Sequence, residues 1–422
     1  MTYLVSNPCT DSSPQVHAPF SVIAFSTGFY FAARTIFVFV AARWLSIGTE
    51  PGVLAGFACA AFLTLVAAFN AFGPARVSGG LFKIRPLAWV LVYLMFSGCS
   101  LLWSASSASS VLYWAALVSD VGMVLLLAQC MPAAQLAHSL FKGFITASCA
   151  LAVVAWIMPA AEDLRLGDID YFNTNQIGSL CALSFLMCLL LASRNDAPIR
   201  PVPWFLGVTL IRSLSKSTLV ALLVCMVYRM LSDHAVSRSR RRIISITAIL
   251  LALAFWSLFS AYYDVYTSAG NQAETLTGRT AIWAWTLDAA LVHPWFGNGF
   301  DAMWRTAPPF GGELFQARHA ENELLQQFFA YGVCGVVLLA GIYGSIYRLF
   351  RQLPHSSARS ALIAFVVYAL VRGLTEAEPF DLLLPLWLVA ALSLLAAPRA
   401  VQLAPTLSEP AQTLDTKALS AC

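Results

Sequence analysis

Charge is scarce in this chain: 11% of its 422 residues are Asp, Glu, Lys or Arg, against a hydrophobic share of 59%. Soluble domains carry roughly 25% charged residues, so a water-exposed globule is excluded, as the mean hydropathy of +0.73 also requires. Net charge is small too. Twenty-five Lys+Arg against 21 Asp+Glu leave +4, which is too little for nucleic-acid binding. The ten cysteines contain no CxxC pair and no Cys/His cluster. Cys59, Cys99, Cys130, Cys149, Cys181, Cys188, Cys225 and Cys334 lie in or beside apolar runs and read as small buried hydrophobes, which argues against a metal site or a disulfide scaffold. The first eighteen residues lack a basic segment leading into a short apolar core, so no cleavable leader is expected and the first span itself would direct insertion. No fixed-period repeat is visible.

What the chain does have is apolar runs of membrane length. A hydrocarbon core about 30 Å thick takes about 20 residues at 1.5 Å rise. Runs at 19–45, 52–73, 86–105, 109–131, 141–159, 174–193, 203–213, 215–231, 243–264, 322–349, 357–373 and 379–397 predict an all-α polytopic membrane protein of about 12 transmembrane helices. The seventh and eighth runs are short and flank Ile211-Arg-Ser-Leu-Ser-Lys-Ser217, which predicts an interrupted hairpin lined by protein or water and lowers the count to as few as ten. The predicted organisation is a cytoplasmic N-terminus (1–18), helices one to nine (19–264), one large periplasmic loop (265–320), helices ten to twelve (321–397) and a disordered cytoplasmic tail (398–422).

Orientation follows from where the cations fall. Arg76, Lys83, Arg85, Lys142, Arg194, Arg200, Arg229, the cluster Arg238 to Arg242, Arg348, Arg351, Arg359 and Arg399 occupy the even-numbered connections and the tail, while acidic residues, Glu376 and Glu378 among them, collect on the opposite side. Both termini are therefore expected in the cytoplasm. Arg165, Arg212, Lys216, Arg279, Arg305, Arg318 and Arg372 lie on the translocated face, where the rule disfavours them, so something on that face is expected to need positive charge. Arg34 and Asp120 fall inside spans one and four, where an unpaired charge costs at least about 2.5 kcal/mol. They are expected to pair or to line a wet cavity.

Cations at a membrane surface suit phosphate, since Arg presents a planar fork and Lys a point charge. Arg212 and Lys216 would share a face if their stretch were helical; snorkelling at a span end is the other use open to them. Arg279 opens a run with Trp283 and Trp285, whose rings suit interfacial anchoring or sugar contact. His319, in Arg318-His-Ala-Glu-Asn322 just before span ten, is a candidate general base. Arg318 and the positive helix end would help keep its imidazole neutral and attract anions. Glu321 is its competitor, or a charge partner orienting the site. His293 reads as a turn residue, and His234 and His355 lie on the cytoplasmic side. Asp168 and Asp170 form a carboxylate pair that could hold a divalent cation; the many nearby cations could neutralise a pyrophosphate without one, and no metal site is predicted.

Four separated pieces resemble the O-antigen ligase and O-antigen polymerase superfamily of bacterial membrane glycan transferases. They are Asp170-Tyr-Phe-Asn-Thr-Asn-Gln176, Ser213-Leu-Ser-Lys-Ser-Thr218, Gly278-Arg-Thr-Ala-Ile-Trp283 with His293-Pro-Trp-Phe-Gly-Asn-Gly299, and Asn322 followed after nine residues by Gly332-Val-Cys-Gly335. Where the ligase signature has His immediately before the amide residue, this chain has Glu321, and its histidine is two positions earlier. The resemblance implies a C-type glycosyltransferase-like fold and transfer of a glycan from an undecaprenyl-pyrophosphate donor to lipid A-core, at the periplasmic face of a Gram-negative inner membrane, among membrane lipids. It implies an inverting reaction without metal, nucleotide or other cofactor. Residue by residue it implies His319 as base, Arg279, Lys216, Arg212 and Arg318 on the pyrophosphate, and Asn175, Trp283 and Asn322 near acceptor or sugar. An O-antigen polymerase or a protein O-oligosaccharyltransferase is the alternative within this chemistry. A lipid-linked glycan transporter is the alternative outside it, suggested by Arg34 and Asp120.

Overall fold

The computed structural model describes residues 18–71, 83–105, 107–158, 166–168, 171–195, 201–232, 239, 242, 276–310 and 315–397. The ninth run (243–264), the N-terminal segment, the tail and Asp170 lie outside them. Every other apolar run contains a helix. These are α1 (Ala18–Phe39, continued by a π-helical turn Val40–Trp44), α2 (Glu50–Ala71), α3 (Arg85–Ser100), α4 (Ser107–Cys130), α5 (Ala133–Ile157), α6 (Thr174–Asn195), α7 (Pro201–Ser213), α8 (Lys216–Ser232), α9 (Leu276–Val292), α10 (Ala302–Thr306), α11 (Glu323–Arg351), α12 (Ser357–Arg372) and α13 (Leu386–Ala396). By length and composition, six helices among the described residues can cross a membrane, namely Pro19–Trp44, Glu50–Asn70, Ser110–Cys130, Ala133–Ile157, Thr174–Ser193 and Glu323–Arg351. Helices stand at eleven of the expected runs among the described residues, and several of them are too short to span alone.

Those short helices have distinct reasons. α13 has 11 residues, about 16 Å at 1.5 Å per residue, and it is buried along nearly its whole length. Trp387, 1% exposed, stacks on Phe31 at 4.3 Å between ring centroids. A helix apolar all round is a core helix, and α13 is the axis of the bundle. The residues before it, Leu382 to Leu384, are buried without being helical. α7 returns beside α6, where Thr174 donates to the Ser213 carbonyl, and α8 leaves beside α12, where Arg229 donates to Ser357 at 3.2 Å. Leu214, at φ 57, makes the break between them, so Arg212 and Lys216 sit on separate helices and do not share a helical face. α1 and α5 approach backbone to backbone: a Cβ on Gly28 would lie 1.9 Å from the Leu140 carbonyl oxygen, and one on Gly143 2.0 Å from that of Phe25. Small residues permit this close contact where lipid supplies no hydrophobic drive.

The predicted loop region 265–320 contains structure of its own. α9, α10 and a two-stranded antiparallel ladder, β1 (Pro309–Phe310) with β2 (Phe315–Gln316), bury Ile282, Ala290, Met303 and Ala317 against Phe329 of α11 as a small second core. The all-α expectation is amended by this one short ladder.

α11 is not a straight rod. Gly332, at φ 63 and ψ −152, breaks it, and the Tyr343 hydroxyl on one arm donates to Glu323 at the end of the other at 2.8 Å. Twenty residues of straight helix would separate such groups by about 30 Å. The arm 323–331 therefore folds back along 333–351. Asn322 caps the first arm by accepting from the Leu325 N–H at 3.0 Å. Gly335 passes so close to the Gln327 carbonyl oxygen that a Cβ there would lie 2.3 Å from it. The spacing of Asn322, nine residues, Gly332 and Gly335 is thus a cap, a helix of just over two turns, a turn only glycine tolerates, and a contact only glycine permits.

Arg34 and Asp120 meet inside the bundle, the guanidinium donating to Asp120 Oδ2. Asp120→Ala would leave the part-exposed Arg34 without this partner inside a span, which costs at least about 2.5 kcal/mol. A lower Tm of the purified protein in detergent is expected, and an unchanged Tm would remove the pairing as the reason for both residues.

Candidate active site

Three helices, α6, α8 and α9, begin at one end of the bundle beside the segments that precede α11 and follow α12. Helix starts offer unpaired N–H groups and a partial positive charge, and here they surround one carboxylate. Glu376 Oε1 accepts from Arg279 Nη2 at 3.0 Å, from Asn175 Nδ2 at 3.1 Å and from Ser217 Oγ at 3.1 Å. Ser215 extends the network by donating to Asn175 Oδ1 at 2.9 Å. Arg279 Nη2 also lies 3.3 Å from Glu321 Oε2, so a single guanidinium nitrogen bridges two carboxylates that are 55 residues apart in the chain.

His319 lies on the other side of Glu321. Its Nδ1 is 3.7 Å from Glu321 Oε1 and accepts from the Glu321 N–H at 3.4 Å. Burial pushes the imidazole pKa below its ordinary value of 6.5; Glu376 and Glu378 oppose this, and Arg279 and Arg372 reinforce it. The ring is accordingly neutral near pH 7 and able to take a proton. Glu321 adopts φ 51, a left-handed conformation rare for a side chain of this size, and its neighbours hold it there. The Trp283 indole donates to the Glu321 carbonyl at 3.2 Å, and the Gln326 amide oxygen accepts from the Ala320 N–H at 2.8 Å. Arg372, 2% exposed, donates to Ser179 at 2.8 Å and faces Glu378 at 3.8 Å.

Of the residues expected from sequence, the structure brings together His319, Glu321, Arg279 and Asn175. Lys216 opens α8 next to Ser217 and is exposed; Arg212 is half-buried at the end of α7. Trp283 and Asn322 have structural uses here: the indole N–H holds the Glu321 carbonyl, while the Asn322 side chain caps α11 and donates to the Leu374 carbonyl at 3.0 Å. Arg318 is turned to a different group, its guanidinium 4.5 Å above the Trp304 ring. Asp168 accepts from the Tyr171 N–H at 3.1 Å and pairs with Arg43 at 3.2 Å. Glu376 was not singled out by sequence; its signal was indirect, since Arg372 stood out as a misplaced cation and an acidic pair follows it at Glu376 and Glu378. Ser215 and Ser217 lie within the Ser213 to Thr218 piece of the resemblance, where no role was given to either.

His293 to Gly299 lies against the fold-back of α11. The Asn298 and Gly299 N–H groups donate to the Phe329 and Ala330 carbonyls at 2.9 and 2.8 Å, and the Pro294 carbonyl accepts from Val333 at 2.8 Å. Gly297 and Gly299, at φ 66 and 94, allow that approach. Two separated sequence motifs are therefore the two halves of one joint, which sets the first arm of α11 and hence the chain entering it at His319 to Asn322.

The O-antigen ligase family model matches residues 202–340, a stretch that contains the joint, Arg279, His319 and Glu321. That stretch, under half of the chain, is similar to the O-antigen ligase family. An O-antigen ligase of Pseudomonas aeruginosa is 29% identical over 175 residues, covering 42% of this chain and 40% of that protein. The exopolysaccharide production protein ExoQ of Rhizobium meliloti is 26% identical over 140 residues, 30% of this chain and 32% of that one. Each match thus spans less than half of the curated relative. The cluster is completed from outside the matched stretch, by Asn175 on one side and Arg372 and Glu376 on the other.

Proposed function

We propose that this chain transfers a glycan from undecaprenyl pyrophosphate to lipid A-core oligosaccharide. The observation that carries the reading is the convergence of His319, Glu321, Arg279 and Glu376, from three separated chain segments, at helix starts suited to an anion. His319 takes the proton of an acceptor hydroxyl on Nδ1, the hydroxyl displacing the 3.4 Å donation from the Glu321 N–H. That oxygen bonds to the anomeric carbon from the face opposite the departing oxygen, the glycosidic bond breaks, and the pyrophosphate leaves with the electron pair, inverting the centre. Arg279 stabilises the charge that grows on the leaving group, exchanging Glu321 or Glu376 for phosphoryl oxygens. Lys216 and Arg212, on the helices either side of the break at Leu214, are the further cations for the diphosphate. Because pyrophosphate is a good leaving group, the step needs neither a general acid nor a cofactor. The distribution of Lys and Arg supports cytoplasmic termini and a periplasmic site in the inner membrane.

The test is purified full-length protein given carrier-linked glycan with lipid A-core. Lipid A-core capped by the glycan is the expected product. Growth of the carrier-linked chain instead would identify a polymerase, modification of a Ser/Thr peptide a protein oligosaccharyltransferase, and carrier movement without bond formation a transporter.

A further inference from the structure

Arg318 and His319 are consecutive, with Cα atoms about 3.8 Å apart, yet they serve different neighbourhoods. His319 belongs to the Arg279 cluster. Arg318 is exposed and lies 4.5 Å above Trp304, one residue before Arg305, whose side chain is 40% exposed. Trp304 and Arg305 are consecutive on α10, so the indole under Arg318 brings the two cations to one patch. Asp301 is its acidic member. Its carboxylate accepts from Ser110 at 3.0 Å and stands 4.0 Å from Arg305 Nε, beyond hydrogen-bond range. Tyr113 stacks on Phe380 at 4.1 Å, which roots the patch in the segment following α12 that also carries Glu376. A guanidinium held over an indole keeps its charge, and Arg offers a planar donor fork suited to phosphate oxygens. The aromatic rings beside it suit the faces of sugars.

We propose that Trp304, Arg305 and Arg318 form a seat for a phosphate-bearing saccharide of the acceptor, beside the imidazole and separate from the diphosphate cradle of Arg279. This rests on the glycan-transfer reading and adds the acceptor's chemistry to it: a phosphorylated sugar held one residue from the base, its neighbouring hydroxyl presented to His319. The same patch chemistry would also hold an anionic lipid headgroup, so the experiment separates the two sources.

The experiment measures binding of delipidated, phosphorylated core oligosaccharide and of its dephosphorylated form to full-length protein in nanodiscs of neutral lipid. Steady-state transfer with both intact acceptors is measured alongside. The wild type is expected to bind the phosphorylated form about tenfold more tightly and to show a correspondingly lower acceptor KM. Arg305→Gln and Arg318→Gln should each remove most of that preference while the donor KM stays within about twofold, and Arg318→Lys should restore part of it. Equal affinity of the wild type for both oligosaccharides would overturn the seat without recourse to any variant. So would a shift of donor KM in place of acceptor KM, or a variant effect confined to nanodiscs of anionic lipid. Phosphate-dependent binding without any transfer would instead leave the seat standing and refute the reaction.

Discussion

Replacing His319 by alanine is expected to lower glycan transfer by about 10²- to 10⁴-fold, the usual worth of a positioned general base, with unchanged insertion and Tm. The imidazole is set by the Glu321 backbone N–H on Nδ1, and its burial disfavours the charged form. The pH profile checks the role. A base must be unprotonated, and its pKa lies below the ordinary 6.5, so kcat/KM should be flat through neutrality and fall only on acidification, with a midpoint below that value. Glu376→Gln removes the charge that most raises the His319 pKa and should move the midpoint lower still. Glu321 is the discriminating control. If Glu321→Gln abolishes turnover while His319→Ala retains it, the carboxylate is the base and the histidine is not.

Gly332→Ala should be the most damaging substitution of a single small residue. At φ 63 and ψ −152 the backbone is in a region essentially closed to side chains, which alone costs about 1–3 kcal/mol. An added Cβ would also lie 2.4 Å from the Trp295 carbonyl carbon and 2.5 Å from the Pro294 oxygen, so the 293–299 segment would have to withdraw. The hydrogen bonds from Asn298 and Gly299 to the first arm of α11 would go with it, and His319 to Asn322 would lose their footing. A large drop in Tm with loss of transfer is expected. Gly344→Ala, on the second arm with nothing within 4 Å of its Cβ, is the matched control and should be neutral or slightly stabilising. Equal Tm values for the two variants would refute the fold-back as the reason for that glycine.

The separated motifs were legible before their purpose was. Asn322, Gly332 and Gly335 stand out by spacing, and His293 to Gly299 by composition, but that the two stretches form one joint depends on Pro294, Asn298 and Gly299 reaching the ends of the helix arms. Arg212 and Lys216 illustrate the opposite outcome. Their i, i+4 spacing suggests one helical face, yet the positive φ at Leu214 divides the stretch into two helices. The resemblance implies that Trp283 and Asn322 lie near acceptor or sugar; the fold adds hydrogen bonds from them to the Glu321 and Leu374 carbonyls, which no spacing in the sequence shows.

By itself the sequence determined the membrane class, the helical runs, the need of Arg34 and Asp120 for a partner or for water, and the excess of cations around the site, because hydropathy, charge and backbone torsion are properties of residues and their near neighbours. Only the tertiary structure decided that Glu376 is the hub. Its three partners, Asn175, Ser217 and Arg279, come from the starts of three helices, and which helix ends meet is set by packing of the whole bundle around α13. The same packing sets Arg318 over Trp304 and its neighbour His319 against Glu321, since contacts across the fold decide where adjacent side chains go.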